Sequence, residues 1–335
     1  MSTGTGEAAP HVPVVALVGP TAVGKSAVAE LLALVRGAEI VSADSMQIYR
    51  GMDIGTAKPP AEERRVPYHC LDLVDPGTPF SAALFQTAAR DAIADIAGRG
   101  ALPLLCGGTG LYVRAALDRW EFPAGDSATP ERAGLEAEAA RIGPEAMHAR
   151  LTALDPQAAA LIHPSNVRRT IRALEMAAHG ASYAAQARAF ARRESVYETV
   201  WLGMTMEREL LYQRIDSRVD AMMESGLMHE VEHLLEAGFR NGLTASQAIG
   251  YKELVPVVEG GADIDEAVDA IKRATRRYAK RQLTWFRSDP RIRWLDATGL
   301  DAARSAEAAL GLLESLKAPQ TGRPEPGTWR LPTPG

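Results

Sequence analysis

The sequence predicts an α/β fold: a parallel sheet covered by helices, with further helices inserted into it and following it. Three observations carry this. The first 120 or so residues alternate short apolar runs with helically patterned stretches. A glycine-rich loop pattern joins the first apolar run to the first helical one. From about residue 124 the texture turns to Ala, Arg and Glu at helical spacing.

Each element follows from its own residues. Val12–Val18 is a continuous apolar run, as a buried parallel strand requires. Glu39–Val41, Tyr68–Val74 and Leu102–Cys106 read as the next three strands, with helices near 25–36 and 81–98 between them. Residues 130–193 read as helical, and Val196–Met206 as a strand that returns to the main sheet. Helices resume through about 286, and a strand at Ile292–Leu295 and a helix over 301–316 close the chain. This gives a core from 12–123 and 195–317, a helical insertion at 124–194, and disordered ends at 1–11 and 318–335. The last stretch is rich in Pro and Gly.

Composition bounds the function. The chain has 335 residues, 46% hydrophobic and 24% charged, which excludes a disordered or collagen-like body. Cys70 and Cys106 are too few and too far apart for a zinc cluster or a disulfide framework. No apolar run reaches the roughly 18 residues of a membrane span, and the first residues lack a signal-peptide pattern. A cytoplasmic protein without a membrane partner is expected. The net charge of −5 argues, taken alone, against a nucleic-acid binder.

Charge location reverses that inference. Residues 272–293 hold Lys272, Arg273, Arg276, Arg277, Lys280, Arg281, Arg287, Arg291 and Arg293 against the single acid Asp289, a local excess of +8. On a helical projection Lys272 through Arg281 cover one half, while Ile271, Ala274, Tyr278, Trp285 and Phe286 fall on the other. The helix is expected to pack by its aromatic side and present Arg276, Lys280 and their neighbours outward or into a channel. Arg168, Arg169 and Arg172 form a second basic face, opposite Val167, Ile171 and Leu174.

The strongest local signal is Gly19-Pro20-Thr21-Ala22-Val23-Gly24-Lys25-Ser26, a G-x-x-x-x-G-K-[ST] pattern between strand and helix. Its glycines let backbone N–H groups wrap a phosphate, and the helix N-terminus adds a positive dipole end. Lys25 supplies a cation and Ser26 a hydroxyl for Mg²⁺. The core is thus P-loop NTPase-like. Nucleotide kinases and NTPases are the usual owners of such a loop. They add an Asp at the end of an apolar strand, whereas here Leu102–Cys106 runs into Gly107-Gly108-Thr109-Gly110. Asp72 is a weak match to that Asp. Asp44, closing the second strand 18 residues after Ser26, stands where a carboxylate could take a proton from a nucleophile facing the phosphate.

Six segments together resemble the tRNA dimethylallyltransferase (tRNA isopentenyltransferase) family: the phosphate loop; Asp44-Ser45-Met46-Gln47 with the run on to Pro59; Gly107–Tyr112; Asn166–Glu175; Ala248–Glu253; and Thr275–Arg287. They occur in order over about residues 14–296. The family transfers a dimethylallyl group from dimethylallyl diphosphate to N6 of adenine 37, beside the anticodon. The resemblance implies that the loop holds diphosphate rather than ATP, with Asp44 as catalytic base and Lys25, Ser26 and Thr109 at the reacting centre. It also implies tRNA contacts by Ser45, Met46, Gln47, Thr109, Arg132, Thr170, Ile171 and the arginines of the second basic face. Arg168 stands where the family commonly has Gln. Gln247, Ala248, Ile249, Gly250, Tyr251 and Lys252 match a tRNA-contacting turn, although Tyr251 reads equally as core. Arg214 and Arg218, stacked at i, i+4, would lie near the diphosphate, where one could clamp it. Tyr68-His69-Cys70 keeps one of the two histidines common in the family. The resemblance further implies a Mg²⁺-dependent monomer whose partner is the tRNA anticodon stem-loop. On the residues alone, a small-molecule kinase using ATP and a non-enzymatic RNA-binding adaptor stay open.

Overall fold

In the computed structural model the described residues are 12–122 and 129–317. The expectations for 1–11 and 318–335, and the boundary at 123/124, lie outside them. Six parallel strands form one sheet: β1 (Pro13–Val18), β2 (Ala38–Ser42), β3 (Tyr68–His69), β4 (Leu102–Gly107), β5 (Glu198–Thr205) and β6 (Arg293–Asp296), ordered β3-β2-β4-β1-β5-β6. The helices of the first half are α1 (Lys25–Arg36), α2 (Ala82–Gly98) and α3 (Gly110–Leu117). Those of the insertion are α4 (Pro130–Ile142), α5 (Pro144–Leu154), α6 (Pro156–Ala159), α7 (Val167–Ala178) and α8 (Tyr183–Ala191). Then come α9 (Arg208–Glu224), α10 (Leu227–Glu236), α11 (Tyr251–Val258), α12 (Ile264–Arg287) and α13 (Ala302–Lys317).

The sheet is covered on both faces, as a purely parallel sheet must be. Val14, Ala16 and Val18 of β1 point into a core with Phe85 and Ile93 of α2 and Ile271 and Phe286 of α12. Val15 and Leu17 point the other way, toward Val28 and Leu32 of α1 and Leu313 of α13. Helices α4–α7 bury Met147, Leu151, Ile171 and Leu174 in a third apolar cluster of their own. Trp120 and Phe190 stack where the insertion leaves the sheet, centroids 4.2 Å apart, and Phe122 packs edge-on against both.

The third strand is much shorter than the expected Tyr68–Val74. Cys70 and Asp72 adopt left-handed backbone conformations, φ 63° and 54°, which a strand cannot continue through. Asp72 is drawn aside by the buried Lys58 ammonium, which it meets at 2.6 Å and which also binds Asp53 (2.5 Å) and the Tyr49 carbonyl (2.8 Å). This also removes Asp72 as a metal-holding strand-end acid. His69 pairs with Glu39 at 2.7 Å, a structural contact.

Two anchors fix what surrounds the sheet's C-terminal edge. The Glu230 carboxylate, on α10, accepts the backbone N–H groups of Asp53, Ile54 and Gly55 and the hydroxyl of Tyr251 (2.6 Å). Asp118, fully buried after α3, is gripped by Arg114 (2.6 Å) and by both terminal nitrogens of Arg291 (2.7 and 3.1 Å). Asp118→Ala strands two guanidinium groups in poorly solvated surroundings. It should lower unfolding free energy by about 3–5 kcal/mol, seen as a lower urea midpoint with an unchanged slope.

Candidate active site

β2, β4 and β1 are neighbours, and Ser42 pairs with Cys106 as Val18 pairs with Gly107. Their ends therefore stop level with one another, and the loops that follow them meet in one crevice, where ligands bind in open parallel sheets. The loop after β1 carries Gly19–Gly24. The segment after β2 carries Asp44–Gln47, and the turn after β4 carries Gly108 and Thr109.

The loop has the backbone of an anion cradle. Gly24 caps α1 in a left-handed conformation, φ 97°, available to glycine without strain. Ala22 adopts φ 64°, a conformation an alanine holds only at some cost. The buried Val23 side chain (1% exposed) anchors the loop from below, so its contribution to a ligand is its backbone. Lys25 Nζ donates to the Pro20 carbonyl at 2.5 Å. Burial, aided by Arg218, holds the Lys25 ammonium down at about 8, with Cys106 and Asp44 opposing the shift.

Asp44 is held beside this loop. Its Oδ1 accepts the Met46 N–H at 2.9 Å. Thr109 Oγ1 accepts the Ser45 N–H at 3.1 Å and does not cap its own helix. Gln47 accepts the Ser42 hydroxyl at 2.8 Å and donates to the Thr56 carbonyl. Asp44 lines two neighbouring cavities. One, about 230 Å³, holds Lys25, Ser26, Gln47 and Cys106. The other, about 370 Å³, runs past Met46, Gln247 and Tyr251 to Arg277 and Arg281, with Ile215, Val219 and Met222 on its apolar side. Arg218 lines both, and burial lowers its pKa against the pull of Asp44. Arg214 instead lies against the loop near Gly24.

Two residues of α12 belong to the crevice: both lie within the Thr275–Arg287 segment that carries the resemblance, which assigned neither of them a role at the site. Gln282 Oε1 accepts the Thr21 N–H, and its Nε2 donates to the Gly108 carbonyl, both at 2.9 Å. Tyr278, expected on the packing side, faces both cavities, with its hydroxyl on the side of Asp44, Thr109 and Gln282. Burial, reinforced by Asp44, pushes that phenol up to about 12. The i, i+4 spacing of the pair was readable; their target was not, because α12 is distant from both loops in the chain.

The basic surfaces are less uniform than their sequences imply. Lys272 pairs with Asp220 (2.5 Å), and Arg276 holds both oxygens of Asp216 (2.7 and 2.6 Å). Arg291 is committed to Asp118 and Asp289. Among the described residues Arg277, Lys280, Arg281 and Arg287 are exposed without a carboxylate partner. Trp285, expected in the core, is 42% exposed, with its indole over Gly110. On α7, Arg168 and Arg169 are exposed, while Arg172 lies 3.7 Å from Glu175. Thr170 and Ile171, expected as contacts, are buried at 0% and 2%, because they form the packing face of α7. Arg132 is tied to Glu136 and to the buried Glu175. Ala248 and Tyr251 are buried at 3% and 1%, so of that turn Gln247, Ile249 and Lys252 remain the more accessible side chains.

The comparisons with known proteins agree on one family. The IPP transferase pattern matches residues 47–289, and the isopentenyl transferase pattern residues 12–66. The tRNA dimethylallyltransferase of Acidothermus cellulolyticus is 52% identical over 299 residues, covering 88% of this chain and 92% of the relative. That of Bacillus subtilis is 47% identical over 287 residues, covering 85% and 91%. The crystal structure of a tRNA isopentenylpyrophosphate transferase from Bacillus halodurans superposes with a TM-score of 0.67 at 43% identity, covering 91% of this chain and 96% of that one. A eukaryotic dimethylallyltransferase acting on tRNA superposes with a TM-score of 0.74 at 28% identity, covering 93% and 82%.

Lys25 sets a pH dependence. Its ammonium is charged below about 8 and loses its proton as pH rises through that value. Inorganic diphosphate should therefore bind wild type more tightly than Lys25→Met at about pH 7, and the gap should narrow toward about pH 10. Isothermal calorimetry of both proteins measures it, and a gap constant with pH would count against Lys25 as the anion's cation.

Proposed function

The chain belongs to the IPP transferase family, and from that premise we propose how its residues carry the transfer of a dimethylallyl group to tRNA. It is a prenyltransferase that modifies tRNA. We carry over from the family resemblance that the donor is dimethylallyl diphosphate, that the acceptor is N6 of adenine 37 in the anticodon stem-loop, and that the enzyme is a cytoplasmic monomer. No helix among the described residues is long and apolar enough to cross a membrane.

The observation that carries this reading is Asp44 lining both cavities, between an anion loop and a cleft with one basic and one apolar wall. Diphosphate sits on the loop amides, at the N-terminus of α1, beside Lys25. As the allylic carbon–oxygen bond breaks, negative charge collects on diphosphate, where those donors and Arg218 already point. The adenine amine is a weak nucleophile because its lone pair is delocalised. Asp44 accepts its N–H, the nitrogen–carbon bond forms, and the proton passes to the carboxylate. Thr109 fixes the segment that carries Asp44 by accepting the Ser45 N–H. The target base leaves the loop stack and enters the larger cavity, a smaller step than extrusion from a duplex.

The donor set fits Mg²⁺. The Ser26 hydroxyl is exposed at the loop, and the described residues contain no cluster of three or more His, Cys, Asp or Glu that would cage a metal. That is the pattern of an ion carried mostly by phosphate oxygens and water. When bound, it would neutralise charge on the leaving diphosphate.

For the RNA, exposed Arg168, Arg169, Lys252, Arg277, Lys280 and Arg281 are the proposed phosphate contacts. Arg132 and Arg276 act instead by holding Glu175 and Asp216. Net charge does not oppose this, since RNA meets the local surface.

Three outcomes check the reading. Unmodified tRNA, labelled dimethylallyl diphosphate and Mg²⁺ should give label in tRNA, while phosphoryl transfer from ATP without it would favour a kinase. Asp44→Ala should lose at least about a hundredfold in kcat with tRNA affinity kept, and normal turnover would remove its role as base. Lys280→Ala should weaken tRNA binding and flatten its salt dependence by roughly one phosphate's worth, as read in filter-binding titrations across KCl concentrations.

A further inference from the structure

The phosphate loop is not equally supplied with donors along its length. Pro20 has no N–H. The N–H of Thr21 is already donated, at 2.9 Å, to the side-chain oxygen of Gln282. The Pro20 carbonyl is covered by Lys25 Nζ. From Ala22 to Ser26, by contrast, no loop amide has a hydrogen-bond partner among the described residues. The cradle therefore starts at Ala22, and its N-terminal third offers an anion nothing.

Gln282 itself is firmly placed. It is 6% exposed, and its amide nitrogen donates to the Gly108 carbonyl at 2.9 Å. A Cβ at Gly108 would lie 2.3 Å from Gln282 Nε2, so the glycine there is what lets the side chain reach the loop. The carboxamide lines the smaller cavity and turns an acceptor oxygen toward that end of the loop.

We propose that Gln282 makes this loop selective for a diphosphate over a triphosphate, by withholding the Thr21 amide and closing the N-terminal end of the cradle. This rests on the reading of the loop as a diphosphate site. Two phosphoryl groups are served by the amides of Ala22–Ser26 and by Lys25. A third would face Pro20, an amide already donated, and the carboxamide oxygen, whose lone pairs repel an anion. Gln282 touches no reacting atom in this scheme and is a positioning residue.

The test uses the full chain and two inorganic anions, pyrophosphate and tripolyphosphate, each with Mg²⁺, titrated by calorimetry. Wild type should favour pyrophosphate. Gln282→Met keeps the length of the side chain, removes both hydrogen bonds and frees the Thr21 amide. It should move the ratio of the two dissociation constants toward tripolyphosphate by about tenfold, the worth of one hydrogen bond to a charged group. Gln282→Glu keeps an acceptor for Thr21 and should hold the ratio at or beyond the wild-type value. An unchanged ratio in Gln282→Met, or an equal loss of affinity for both anions, would overturn the proposal and leave Gln282 a packing residue. Should Gln282→Met not fold by circular dichroism, Gln282→Asn, too short to reach Thr21, carries the same expected shift and the same refutation. Neither anion carries a prenyl group and no RNA is present. Failure of this test is therefore distinct from a wild-type enzyme that does not label tRNA.

Discussion

A parallel sheet delivers every strand's C-terminal end to the same edge, and strand order decides which of the following loops become neighbours. Here β2, β4 and β1 are adjacent and end in register. The anion loop, the Asp44 segment and the Thr109 turn therefore start side by side although up to about ninety residues separate them in the chain. Everything else at the site elaborates that alignment. Thr109 ties the second loop to the third, and Gln282 ties the third to the first. Glu230 holds the continuation of the second segment from below through three backbone amides. No metal cluster or disulfide among the described residues contributes; the order comes from backbone pairing and short polar links.

The fold was legible wherever local pattern and tertiary context agree. The apolar run ending at Val18, the helix over 25–36 and the strand at 102 are buried by neighbours that demand the periods they show. Tyr68–Val74 failed because Lys58, buried and needing carboxylates, pulls Asp72 out of line, and no local pattern reports that demand. At the site, Asp44, Lys25 and Thr109 were legible because they sit in contiguous motifs. Tyr278 and Gln282 also sit in a contiguous segment, but their roles were not legible, since these lie in reaching loops more than 160 residues away.

Charge shows the same limit from another side. The excess of +8 over 272–293 is real in the sequence, but a run of arginines does not say which are free. Asp216 and Asp220 on α9 claim Arg276 and Lys272, and Asp118 claims Arg291. The paired residues fasten α12 to its neighbours, while those between and beyond them stay available to solvent and to phosphates. Burial on α7 sorts Arg168 and Arg169 from Thr170 and Ile171 in the same way.

Helix α12 thus has two audiences. Its outer side displays cations, and its inner side holds the backbone of the donor loop through one carboxamide. Such a helix cannot drift freely under selection. A change that retunes which RNA it grips risks shifting the donor loop, and a change in the loop must still present an N–H where Gln282 waits. Variation in RNA preference across relatives should then accumulate on the exposed rows of α12, leaving the Tyr278–Gln282 row almost frozen. An RNA-reading helix grafted from elsewhere would need that row transplanted with it.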